Sequence, residues 1–163
     1  MNWWRRLAGG SSESETRKPD FLAEALELEA RGDYGNALTS YRLALRERPN
    51  DLSVLQNIAI ALSKTGQTEE AIRTYKRALE LDPELAGAHY GLAFLLLKRR
   101  ETELAAVHLE SYLRTTSEGD PKAQRFREHA WQTLAEIMGE EPGTGADHTA
   151  RHDESDPSSG REY

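Results

Sequence analysis

Histidine, lysine and asparagine are the side chains through which this 163-residue chain could act on another molecule, and their spacing favours holding over reacting. His89, His108 and His129 fall on separate helical segments. His89 sits in a packing position and His108 on an outer helix, so both read as structural or surface histidines rather than parts of a relay. His148 and His152, flanked by Asp147 and Asp153, have a spacing that grips a metal on a helix. Glycines and prolines around them oppose that helix, so neither metal nor cofactor is expected. There is no cysteine, which excludes disulfides, thiolate metal sites and a cysteine nucleophile and fits a reducing compartment. A glycine-rich phosphate loop, a Gly-x-Ser-x-Gly elbow and a His-Glu-x-x-His pair are all missing, so the chain is not expected to be an enzyme. The formal net charge is −7, with no basic stripe, and this argues against nucleic acid as a ligand.

The elements that position these side chains show up when the sequence is laid over itself at a shift of 34 residues. Gly32 falls on Gly66, Ala37 on Ala71, Tyr41 on Tyr75, Ala44 on Ala78 and Pro49 on Pro83. Asp51 is placed to cap a helix from Leu52 to about Lys64, since its carboxylate can accept from an orphan amide of the first turn. Gly66 ends that helix, because glycine takes a left-handed backbone at low cost. Thr68 is expected to cap the next helix, with Glu69 and Glu70 in its positive first turn and Lys76 and Arg77 nearer its negative end; Pro83 stops it after Asp82. Ala59, Ala71 and Ala78 let the two helices approach, while Leu55, Leu62, Ile72, Tyr75 and Leu79 fill the seams. One such hairpin cannot bury its own apolar face, so neighbours must stack.

A 34-residue period of paired helices with Leu55, Ile58, Ala59 and Leu62, then Ala71 and Tyr75, then Pro83, resembles the tetratricopeptide repeat. In the first repeat Phe21, Ala25 and Leu28 take the first-helix places behind Asp20 as cap, and only Glu24 departs from the apolar pattern. In the third, His89, Leu92, Ala93, Leu96, Ala105 and Leu109 match. Arg100 replaces the glycine and Ser117 the proline. The turn at Arg100 is therefore predicted to be tighter or more strained, and the sixth helix to run on toward Thr115 or Thr116. The apolar run Leu92 to Leu97 predicts either burial or an exposed binding surface. After Gly119, Asp120 and Pro121 open a seventh helix ending near Gly139, with Ala123, Phe126, Ala130, Leu134 and Ile137 on one stripe and Trp131 beside it.

The resemblance implies an all-α, right-handed superhelical solenoid of three helical hairpins plus a C-terminal capping helix. The expected division is a flexible segment 1–19 and a repeat domain 20–138, with repeats 18–51, 52–85 and 86–119 and a closing helix 120–138. A disordered acidic tail, 139–163, follows. The tail's Glu, Asp and Arg residues from Glu140 on give it a net charge of −5. Near the start, Trp3 and Trp4 stand beside Arg5 and Arg6, with no apolar stretch of signal-peptide length behind them. That segment reads as a weak interfacial anchor, as a disordered start, or as a plug that folds onto the repeats.

The same resemblance implies that the first helix of each hairpin lines a concave, protein-binding face. Spacing puts Leu22, Leu26 and Glu29, then Gln56, Asn57, Ile60 and Lys64, then Tyr90, Phe94, Leu97 and Lys98 on that face. Asn57 stands where the family often bonds the ligand backbone. The family's basic clamp for a chaperone carboxylate is absent, because Leu22, Leu26, Gly87 and Gly91 occupy its places. The expected partner is an apolar or amphipathic protein segment with an acidic group near Lys64 or Lys98. The competing reading is that Trp3 and Trp4, or the seventh helix, fill the groove. A monomer or weakly self-associating adaptor in the cytoplasm is expected, with a self-assembling protein at the cytoplasmic face of a membrane as the alternative.

Overall fold

The computed structural model describes residues 19–139, so the tryptophan and arginine segment, the linker before Pro19, the acidic tail and the His148/His152 pair lie outside it. Seven helices follow one another in the described residues: α1 (Phe21–Ala30), α2 (Tyr34–Glu47), α3 (Leu52–Lys64), α4 (Thr68–Leu81), α5 (Ala86–Lys98), α6 (Thr102–Thr115) and α7 (Pro121–Met138). Each packs on the next in sequence, and α3 also meets α5. None of these helices is long and apolar enough to cross a membrane.

Four aspartates start helices, Asp20, Asp51 and Asp120 where their positions predict and Asp33 in addition. Asp20, Asp33, Asp51 and Asp120 accept from the amides of Ala23, Asn36, Ser53 with Val54, and Lys122. Bonding to the Asn36 side chain lowers the Asp33 pKa, and bonding to the Ser53 hydroxyl lowers that of Asp51. Thr68 is not a cap: Gln67 holds that position without a side-chain bond, and Thr68 is already helical. The sixth helix does reach Thr115.

The three hairpin turns share one backbone form. The amide of Asp33 donates to Leu28, that of Gln67 to Leu62 and that of Glu101 to Leu96, at 2.9, 2.9 and 3.0 Å. Each turn needs a left-handed residue: Gly32 at φ 77°, Gly66 at φ 81° and Arg100 at φ 61°. The Arg100 turn thus keeps the shape of the others and carries the strain in a side-chain-bearing residue.

Alanines make the close approaches. Ala37, Ala59, Ala71, Ala78, Ala93 and Ala105 are fully buried, with Tyr41, Leu55, Leu62, Leu92 and Leu109 filling the space between them. One core runs through the first three hairpins. A smaller one joins Ala93 of α5, Leu109 and Tyr112 of α6 and Ala130 of α7, with Tyr90, Phe94, Leu134 and Ile137 packed around it. The Leu92 to Leu97 run is accounted for by burial, with Phe94 and Leu97 only half-buried.

Candidate functional site

Five of the residues picked by spacing share one cavity of about 200 Å³, where Ile60 and Lys64 of α3 face Tyr90, Phe94 and Lys98 of α5. Ser63, Tyr75, Gly91 and Leu95 complete the wall. Spacing on single helices missed these four. The signal for Gly91 was a glycine inside a helical pattern, which marks close backbone approach. A β-carbon there would lie 2.3 Å from the Tyr75 ring and hydroxyl. Burial pushes the Tyr75 pKa up to about 12, so its hydroxyl stays protonated as a donor beside the cavity. Lys64 and Lys98, both exposed, close the rim with positive charge.

The remaining picked residues sit apart from that cavity. Leu22 and Leu97 are half-buried against the main core, whereas Leu26 stands exposed. Gln56 lies over the backbone of Gly87, 2.6 Å from where a β-carbon would be. Glu29 accepts a hydrogen bond from the Tyr41 hydroxyl, so it serves the first hairpin rather than an open surface. Burial and then Glu29 raise the Tyr41 pKa, and the Asn57 side chain opposes that rise.

The seventh helix covers the far edge of the cavity. Tyr90 meets Phe94, Tyr112 and Phe126 at centroid distances of 4.8, 5.0 and 5.5 Å, and the His129 ring stacks on Phe94 at 4.8 Å with 3° between planes. Burial raises the Tyr90 pKa, and its hydroxyl donates to Nδ1 of His129 at 2.7 Å when that ring carries its proton on Nε2. Arg127 ties α7 to the end of α6 by donating to the Leu113 carbonyl at 2.6 Å and to the Thr116 hydroxyl at 2.7 Å. It thereby satisfies a terminal carbonyl where Ser117 offers no proline stop.

The histidines are not all separate, as their helices suggested. The Nδ1 atoms of His89 and His108 lie 2.9 Å apart, and Nε2 of His89 is 2.8 Å from the Pro83 carbonyl. A carbonyl only accepts, so His89 carries its proton on Nε2 and receives the Nδ1 proton of His108. Among the described residues no three metal-ligating side chains gather.

This arrangement of three hairpins can be set beside known proteins. Family models described as TPR repeat and tetratricopeptide repeat match residues 61–99 and 28–77. The chain is a tetratricopeptide repeat protein. The seven helices of its described residues form the all-α superhelical solenoid of that family. A TPR repeat-containing thioredoxin of Arabidopsis thaliana is 38% identical over 79 residues, covering 48% of this chain and 12% of that protein. A peroxisomal targeting signal receptor of Candida glabrata is 30% identical over 114 residues, covering 69% of this chain and 19% of the receptor. The repeat protein therefore spans a small part of such relatives. Among solved structures, the Sgt2 TPR domain from Aspergillus fumigatus is 25% identical, with a TM-score of 0.61 over 80% of this chain and 88% of that one. The Yersinia enterocolitica type III secretion chaperone SycD, in complex with a peptide of the translocator YopD, shares the fold. Its TM-score is 0.68 at 17% identity, over 72% of this chain and 89% of that one.

Proposed function

We propose that this tetratricopeptide repeat protein is a non-enzymatic adaptor whose domain, residues 20–138, binds an apolar or amphipathic segment of another protein in its concave groove. The observation that carries the reading is the 200 Å³ cavity in which Ile60, Tyr90 and Phe94 offer an apolar seat and Lys64 and Lys98 a cationic rim. An aliphatic or aromatic side chain enters the seat, and a neighbouring carboxylate pairs with one lysine. Leu26, exposed on α1, and Asn57 extend the contact toward the first repeat. The SycD complex with a YopD peptide and the yeast Sti1 domain complexed with pHsp70 support a peptide-binding use of this fold. The absence of cysteine supports work in the cytoplasm.

Two variants test the groove. Ile60→Asp puts a charge in the seat, and Lys64→Glu with Lys98→Glu inverts the rim. Both baits, checked by circular dichroism, are compared with the unaltered chain in pull-downs from native lysate read by mass spectrometry. A protein held by the unaltered chain and lost from both variants supports the groove. The same set on all three baits, at unchanged helicity, removes the groove from the reading.

A further inference from the structure

A second cavity, of about 280 Å³, lies between the second helices α2 and α4, away from the groove. Its floor is Leu45 of α2 with Leu55 and Ile58 of α3, and its rim carries Arg42, Arg73 and Arg77 against one acid, Glu70. Arg42 pairs with Glu70 at 2.9 Å, and Arg77 donates to the Pro49 carbonyl at 2.7 Å. Arg73 is exposed and has no ion pair among the described residues. The notch is a concentrated positive spot on an acidic chain.

The 34-residue shift separates what the fold needs here from what it does not. One repeat further on, Leu45, Leu55 and Ile58 correspond to Leu79, His89 and Leu92, so two of the three floor positions stay apolar. The rim recurs only at Arg42, which corresponds to the cation Lys76; Glu70, Arg73 and Arg77 correspond to Leu104, Val107 and Ser111. Since Leu104 and Val107 stand exposed in their repeat, the packing makes no demand for arginine at these places.

We propose that the arginine notch docks the chain's own acidic segment, residues 140–163. That segment holds seven carboxylates and two arginines, the complement of a rim with three guanidiniums and one carboxylate. Guanidinium groups take carboxylates through paired hydrogen bonds, which the ammonium groups of Lys64 and Lys98 cannot match. Pro142, Pro157 and Tyr163 supply apolar surface for Leu45, the half-buried residue of the floor. Reach is sufficient. The segment starts at the end of α7, three helix-to-helix steps of about 10 Å each from α4. Its 24 residues span at most about 80 Å.

Because the chain has no cysteine, Ser158→Cys gives one attachment point for a nitroxide in the full-length protein. Amide signals are compared with the label oxidised and reduced. Docking broadens the amides of Arg73, Thr74 and Arg77 most. Arg73→Glu, or raising salt to about 0.5 M, relieves that broadening about threefold or more, as a screened ion pair requires. Broadening strongest at Lys64 and Lys98, or confined to α7, overturns the proposal. Broadening passed from a labelled chain to a separate isotope-enriched chain also overturns it, as does no broadening at all. The salt arm needs no substitution, so a misfolded variant cannot shelter the idea.

Discussion

The second hairpin and the third have the same backbone but stop their helices by different means. In the second, Gly66 turns the chain and Pro83 follows the end of α4. In the third, Arg100 bears the left-handed turn and Arg127, from the following helix, satisfies the end of α6. A repeat fold thus tolerates losing its local punctuation if a neighbouring element takes over the bonding. The cost is dependence. The second hairpin ends its helices with its own glycine and proline, with His89 of α5 bonding the Pro83 carbonyl, while the third relies on α7 for the Leu113 carbonyl and for the aromatic cluster around Tyr90.

The largest test of the comparison strikes the contact between the two hairpins. Gly91→Ala puts a β-carbon into the Tyr75 ring, and overpacking of this kind is expected to cost about 1–3 kcal/mol in chemical denaturation. Next, Arg127→Ala removes the side chain that holds α6 to α7, with an expected loss of about 2 kcal/mol. Hydrogen exchange should rise first in α7 and the last turn of α6; uniform loss across all seven helices contradicts the dependence argued above.

Acid should weaken the third hairpin more than the second. Burial, then His89 and Lys76, lower the His108 pKa below its ordinary value. The unfolded chain therefore takes up a proton first as pH falls. Stability is complete above about pH 6.5 and declines as pH drops toward the lowered folded value. Urea midpoints taken between about pH 7.5 and 5 should fall, and His108→Gln should flatten the fall. A midpoint equally steep in the variant removes His108 as the cause.

The smallest effects come from the turns. Gly66→Ala is expected to destabilise by about 1 kcal/mol, and Arg100→Gly to leave stability unchanged or raise it by up to about 1 kcal/mol. Opposite signs on the thermal midpoint sharpen the contrast between the hairpins; equal signs break it.

The fold was largely legible because its start and stop signals are local. Asp20, Asp51 and Asp120 cap where their positions said, and the glycines at 32, 66 and 139 turn left-handed. Thr68 misled because a hydroxyl one residue inside a helix looks the same in sequence as one at its edge. Half of the candidate groove could be picked out as well, since helical spacing tells which side of a helix a residue occupies. Spacing does not tell what that side meets. Tyr75 against Gly91, His89 against His108 and the α7 cover over Tyr90 and Phe94 are contacts between helices. The arginine notch lies between α2 and α4, so its rim cannot be read from either helix alone.

Helices that pack chiefly on their neighbours in sequence give the array graded, not uniform, local stability. The cavity shared by α3 and α5 sits one layer below the terminal helix, whose Phe126 and His129 rest on two of its walls. Fraying of α7, the first opening that a linear array undergoes, uncovers those walls while α3 and α4 stay folded. Occupancy of the cavity and detachment of the last helix are therefore linked equilibria: a segment that needs those walls bare draws α7 away, and one that seats beneath it slows the unzipping of the whole solenoid.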